Sequence, residues 1–283
     1  MGTAVAAGHD QHRDRSARTH VLRMVACVSP AVRMDRLLEL THLAEQSHFW
    51  FRGFRWFVRP EVERAVSARE PAVIIDCGCG TGANVSWLQE FGTAFGFDLT
   101  RNGLELGRAM GRRNLARASI GAIPFPDACA DLATSFDVFQ CLPGPVEHAA
   151  IREMWRILKP GGHLLLNVAA LDVLRGNHAT LSEEVRRYSP DRLRQLVSGA
   201  NFQIERLTFV HATLFPLMLP VRIVQRWSSG GANVPPGEFD ISVPPGAVNA
   251  LLSGLVWMES RALAYIDMPI GGSLLCHARK PAE

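Results

Sequence analysis

The chain has 283 residues, 47% of them hydrophobic and 20% charged, with a formal net charge of +3. That length suffices for one sizeable core with elaborations, and the charge is too small to argue for nucleic acid as a partner. The six cysteines (27, 77, 79, 129, 141 and 276) follow neither a disulfide framework nor a metal-ligand spacing, so a reducing, cytoplasmic setting without a metal is expected.

Taken in chain order, residues 1–34 read as a flexible leader, polar at first and then briefly apolar, with Arg23 and Pro30 interrupting. Residues 35–70 read as a helical N-terminal lid. Six aromatic side chains fall within nine positions from Phe49 to Phe57, with arginines between them and His48 just ahead. Such a helix can pack its aromatic side on a sheet, cover a ligand, or do both. Residues 71–283 read as one α/β domain.

That domain opens on an apolar run, Ala72 to Ile75, which ends in Asp76 and then in Gly78, Gly80 and Gly82, with a helix expected from about Ala83. A buried strand, a turn needing positive φ and a helix N-terminus make a site for a cofactor with a polar, partly anionic middle. Two cofactors compete. Gly78-x-Gly80-x-x-Ala83 satisfies the dinucleotide fingerprint. Alternatively, Asp76 receives the methionine ammonium of S-adenosylmethionine (SAM), a group that NAD lacks. Thr93 to Asp98 reads as a second strand, and Asp98 lies 22 residues beyond Asp76, where either cofactor would place its ribose. The same carboxylate could cap the helix beginning near Thr100.

With its acidic-x-Gly-x-Gly-x-Gly loop, the sequence resembles class I SAM-dependent methyltransferases. Further segments carry the resemblance onward. Ser119 to Phe125 is similar to the family's exit from strand three, with Ser119 where an acid is common. Ala130 to Phe136 reads as strand four, and Asp137 to Leu142 resembles the segment after it, with Gln140 and Cys141 replacing Glu-His. Arg156 to Gly162 matches the turn into strand five, His163 to Val168. The resemblance implies a Rossmann-like, seven-stranded, mostly parallel sheet with helices on both faces. It also implies SAM contacts from Asp76, Gly78, Cys79, Gly80, Gly82 and Asp98, with Leu99, Ser119 and Ile120 by the adenine and the backbone of Phe136 by the methionine end.

Toward the C-terminus, Pro190 to Ala200 reads as a helix, Asn201 to Phe209 as strand six and Gly272 to Arg279 as strand seven. Between those strands stands a helical insertion at about 210–271. It holds a proline-broken apolar segment, a Gly/Pro loop from Ser228 to Pro245 and a helix from Ala247 to Tyr265. The longest apolar stretch, Leu207 to Val224, contains His211, Pro216, Pro220 and Arg222, which argues against a membrane span. The insertion suits enclosure of a hydrophobic small substrate or a lipid-linked one, or a homo-oligomeric contact. His48 to Phe51, Arg186-Arg187-Tyr188, Leu214-Phe215-Pro216 and Gly272-Ser273-Leu274 resemble the marks of bacterial type-11-like methyltransferases.

That resemblance implies methyl transfer to an oxygen, nitrogen or carbon and leaves the acceptor open; the expected acceptor is a small, hydrophobic metabolite, as in secondary metabolism. A hydroxyl or carbon acceptor needs a general base. The candidates are His148, His178, Glu184 and Tyr188, with Cys141 and His48 behind them. Each also has a structural role open to it, Tyr188 as a core anchor, Glu184 as a partner of Arg187, and His148 on a helix surface. A NAD-dependent oxidoreductase and a non-catalytic relative of the same fold are the alternatives.

Overall fold

The computed structural model describes residues 38, 41, 44–175, 183–228 and 243–282. The expected leader and His178 lie outside them. Strands β1 (Val73–Cys77), β2 (Thr93–Asp98), β3 (Leu115–Arg117), β4 (Ala130–Phe136), β5 (Leu158–Ala169), β6 (Gln203–Val210) and β7 (Ser273–Arg279) form a seven-stranded sheet in the order β3-β2-β1-β4-β5-β7-β6. β7 runs antiparallel to both its neighbours, while the pairings among β1 to β5 are parallel. β4 is buried at all seven positions, as a central parallel strand covered on both faces should be, and its polar side chains are bonded, Thr134 to Asp76 at 2.7 Å and Ser135 to Cys77 O at 2.8 Å.

Two cores fill the two faces. Tyr188, Phe139, Ile151 and Met154 belong to one, supplied largely by α4 (Gly144–Ile157) and the segment before α5 (Pro190–Gly199). The other takes Phe54, Phe57 and Val62 from α1 (Phe49–Val66), together with Val85, Leu88 and Leu104 from α2 (Ala83–Leu88) and α3 (Arg101–Ala109). Pro190 starts α5 at its first turn, where no donor is lost, and Ser189 Oγ accepts from Arg192 N at 3.3 Å.

Between β6 and β7 stand α6 (Phe215–Ser228) and α7 (Gly246–Ala262). The expected break in the apolar segment does not occur, because α6 continues through Pro220. Met218 packs on the second core, and the buried Leu214 just ahead of the helix belongs to that core. α7 is seated by polar groups at both ends. Phe49 N donates to Asn249 Oδ1 and Asn249 Nδ2 donates to Ser47 O, both at 2.9 Å. Buried Glu259 accepts from Ala212 N, Thr213 N and Thr213 Oγ1 at 2.9, 2.8 and 2.7 Å. Between those ends α1 and α7 meet at Gly53, where an added Cβ would lie 2.1 Å from Val256 Cγ1.

Strand five starts earlier than expected. Leu158 already pairs with Ala130; the Lys-Pro-Gly-Gly turn then loops out with Gly161 at φ +75°, and pairing resumes at His163 opposite Leu132. No helix among the described residues is long and apolar enough to cross a membrane.

Candidate active site

The chain order reverses between β1 and β4, and the crevice at their C-terminal ends is where an open α/β sheet presents a ligand site. Gly78, Gly80 and Gly82 follow β1 with φ of +86°, +55° and +79°. A Cβ would lie 2.4 Å from Val138 Cγ2 at Gly78 and 2.6 Å from Leu115 Cδ2 at Gly82. Both conformation and space exclude larger residues there. Gly78 N and Cys79 N both donate to Phe97 O, at 2.9 and 3.0 Å, which ties the loop to β2.

Asp98 does two jobs at once. Its Oδ2 accepts from Gly80 N at 2.9 Å and its Oδ1 from Thr100 N at 2.8 Å, so it closes the loop and holds the turn that leads into α3, whose N-cap is Thr100. Each carboxylate oxygen retains a second lone pair, and the residue lines the cavity above the loop. Leu99 stands beside it, 66% exposed, and Ser119 and Ile120 continue that wall. The Ser119 hydroxyl accepts from Gly121 N at 3.2 Å.

Asp76 lies under the loop instead of on the wall, 1% exposed. Thr134 Oγ1 donates to its Oδ1 at 2.7 Å, whereas Oδ2 is buried without a hydrogen-bond partner. Burial, eased by Thr134 and reinforced by the negative charge of Asp98, raises its carboxyl to about 7. Cys79 shows how dry this region is, since burial with Asp76 and Asp98 nearby holds its thiol far above the ordinary range.

The cavity, about 890 Å³, extends well beyond the loop. Phe49, Trp50, Phe51 and Phe54 of α1 form one wall, and Leu217, Met218 and Val221 of α6 another. α1 lines the cavity and packs on the sheet at once, since Phe54 and Phe57 are also buried in the core. His48 caps this helix, its Nδ1 accepting from Trp50 N at 3.1 Å, and lines the cavity with Arg55. The segment ahead of α1 is fastened to the glycine loop. Buried Glu45 accepts from Thr81 Oγ1 at 3.1 Å and pairs with Arg112, whose guanidinium also donates to Thr81 Oγ1 at 2.6 Å.

At the floor, just past β4, sits Asp137 in the left-handed region at φ +59°. It is an exposed residue that opens onto the cavity, with protein crowded around the rest of it. Asn167 Nδ2 donates to its Oδ1 at 2.9 Å. Desolvation, with Glu184 adding to it against the hydrogen bonds of Gln140 and Asn167 and the charge of Arg187, raises this carboxyl to about 6. Arg187 holds Glu184 in a two-point ion pair, Nε to Oε2 at 2.9 Å and Nη2 to Oε1 at 3.1 Å. Both line the cavity, as does Cys141, whose thiol burial and the nearby Glu184 push up to about 12.

Two of the expected bases are elsewhere. Tyr188 is a core anchor, 1% exposed, its hydroxyl donating to Glu147 and, at 3.2 Å, to Phe139 O. Burial and Glu147 hold that phenol well above its ordinary range. His148 lies on the exposed side of α4, off the cavity wall. Asp137 was missed as a base candidate, although it repeats the signal of Asp76 and Asp98, an acid at the C-terminal end of a parallel strand.

Residues 75–166 match the methyltransferase domain family. This chain contains a class I SAM-dependent methyltransferase domain. The methyltransferase is 28% identical over 201 residues, 65% of its length, to a malonyl-[acyl-carrier protein] O-methyltransferase of Herminiimonas arsenicoxydans, covering 74% of that protein. Its fold is similar to that in the complex between the Haloferax volcanii Trm112 methyltransferase activator and a methyltransferase (TM-score 0.57, 18% identity, 88% of this chain and 97% of that one). It is also similar to Haemonchus contortus phosphoethanolamine N-methyltransferase 2 in complex with SAM (TM-score 0.52, 14% identity, 86% and 60%). The match decides between the two cofactors that the loop alone leaves open.

The residues present fit SAM. Oδ2 of Asp76 is buried without a partner just beneath the loop, and Asp98 on the wall keeps lone pairs for hydroxyls, whereas the space a Cβ would take at Gly78 and Gly82 is filled by Val138 and Leu115. SAM, when bound, supplies an electrophilic methyl on a sulfonium. What the chain itself offers is aromatic and aliphatic walls that orient a ligand and exclude water, with the carboxylates of Asp137 and Glu184 at the floor.

Proposed function

We propose that this methyltransferase methylates a small, largely hydrophobic metabolite, with Asp137 as the general base when the acceptor is a hydroxyl or an acidic carbon. The observation carrying this reading is the cavity beyond the loop, with largely apolar walls from α1 and α6 and Asp137 and Glu184 at its floor. A carboxyl raised to about 6 is ionised at neutral pH yet basic enough to take a proton as the acceptor attacks. Glu184 is committed to Arg187, and it acts on Asp137 through its charge, keeping that carboxyl basic. Cytoplasmic secondary metabolism is the setting that suits such an acceptor.

The test is transfer of a labelled SAM methyl to a panel of small aromatic and aliphatic alcohols, amines and acidic-carbon compounds. Acyl groups on a carrier protein form a separate arm, since one relative is named for such a substrate. A free small acceptor should be methylated, and Asp137→Asn should lower kcat on it by roughly 10²-fold or more while S-adenosylhomocysteine still binds. Methylation of carrier-bound groups alone would overturn the small-metabolite reading. An unchanged kcat in Asp137→Asn would remove the base.

A further inference from the structure

A second cluster lies far from the glycine loop. His163 stands where β5 resumes pairing, opposite Leu132 near the N-terminal end of β4, whereas the loop follows the C-terminal end of β1. His277 on β7 is two register positions from it, since His163 pairs with Arg279 and Leu165 with His277. Glu205 completes the group from the neighbouring strand β6. It is the unpaired residue of an irregularity, because Ile204 pairs with Ala278 and Arg206 with His277. Such a bulge lets two successive side chains serve one face. Glu205 then approaches the histidines while Arg206 Nη1 reaches Glu61 at 2.8 Å.

The three donor atoms are spaced as ligands of one small ion would be. His163 Nδ1 and His277 Nε2 are 2.9 Å apart, and Glu205 Oε2 lies 3.7 and 3.6 Å from them. Bonds of about 2.0–2.2 Å in a tetrahedron put ligand atoms about 3.3–3.6 Å apart. Only a few tenths of an ångström separate the two sets.

Orientation is also provided for. Glu61 Oε2 lies 2.7 Å from His277 Nδ1, which places the proton on that nitrogen and turns the bare Nε2 toward the other two donors. A carboxylate behind a ligand histidine is the usual device that fixes ring and tautomer in metal sites. Glu61 is itself held by Arg206 at 2.8 Å and Arg64 at 2.7 Å. His277 is buried, while Glu205 is the most exposed of the three, so an ion has an approach from solvent. Arg69 and Arg279 stand close enough to His163 to oppose a cation, which leaves Glu205 as the anionic ligand on which binding must depend.

We propose that His163, Glu205 and His277 form a zinc site, with water in the fourth position, that clamps β5, β7 and β6 and, through Glu61, the C-terminal half of α1. Two imidazoles and one carboxylate suit Zn²⁺. On binding, His163 releases the proton on Nδ1 to solvent and takes one up on Nε2, so its ring changes tautomer and neither imidazole changes its charge. The site is structural in this account. It requires nothing of the methyl-transfer chemistry.

The experiment uses the full chain, stripped with a chelator and titrated with Zn²⁺, and separately with Co²⁺ followed by visible absorbance. One Zn²⁺ per chain should bind, Co²⁺ should give the intense bands of a tetrahedral N/O site, and Zn²⁺ should raise the thermal midpoint. Glu205→Gln and His163→Gln, the two partly exposed ligands, should each weaken binding at least tenfold and lose the thermal shift with the circular dichroism spectrum kept. Equal Zn²⁺ binding in the wild type and both variants would place the ion on other histidines and overturn the proposal. So would no saturable binding by the wild type.

Discussion

The cavity has two halves built in different ways. The cofactor half comes from one short stretch, Asp76 to Gly82, plus the acid that ends the next strand. The acceptor half is assembled from α1, the turn after β4, the segment around Glu184 and α6, which are separated by up to some 150 positions in the chain. Local backbone geometry dictates the first, and tertiary packing dictates the second. A change in the loop should therefore abolish one function outright, whereas changes in the walls should grade the other.

The strongest way to break the comparison is Gly78→Val. A Cβ there meets Val138 at 2.4 Å in a left-handed conformation, so affinity for S-adenosylhomocysteine should fall by roughly 100-fold or more, about 3 kcal/mol. Calorimetric titration checks this. Near-normal affinity would mean that the loop is not what holds the cofactor.

A smaller effect sharpens the cofactor half. A carboxyl raised to about 7 is mostly protonated at pH 6 and mostly ionised at pH 8. An ammonium received by Asp76 would need the ionised form, so on that reading S-adenosylhomocysteine affinity should rise about tenfold between those values, and Asp76→Asn should flatten the profile. The sign for stability is opposite. Because the folded state holds this proton to higher pH than the unfolded chain does, the ligand-free protein should lose stability as pH rises from about 4 through 7.

The smallest effect belongs to the walls. Leu217 is 55% exposed and lines the cavity. Leu217→Ser should raise KM for a hydrophobic acceptor about three- to tenfold, the worth of a partly buried aliphatic side chain, with cofactor affinity unchanged. If the cofactor affinity fell in step, the two halves would not be separable.

How much could be read from the sequence follows the same division. The glycine loop, Asp98 and the strands were legible because they depend on neighbours in the chain: alternate glycines, an acid after an apolar run, a Pro-Gly-Gly turn. Tyr188 and His148 were misplaced as candidate bases for the opposite reason. Whether a side chain faces a cavity or Glu147 depends on how α4 and the segment before α5 pack, and no local pattern carries that. The helix through Pro220 was obscured because a single lost donor was weighed without the apolar contacts of Met218. The histidine and glutamate cluster comes from three strands and a bulge, which no spacing in the sequence displays.

The close approach of α1 and α7 at Gly53 has an evolutionary consequence. With Val256 so near that no side chain fits at Gly53, neither helix can be reshaped alone without parting the two. A lineage adapting to a new acceptor would have to exchange the aromatic front and the late insertion together, as a matched cassette grafted onto an unchanged sheet. Directed evolution that recombines residues 44–66 and 211–271 as one block should keep more variants folded than shuffling them separately.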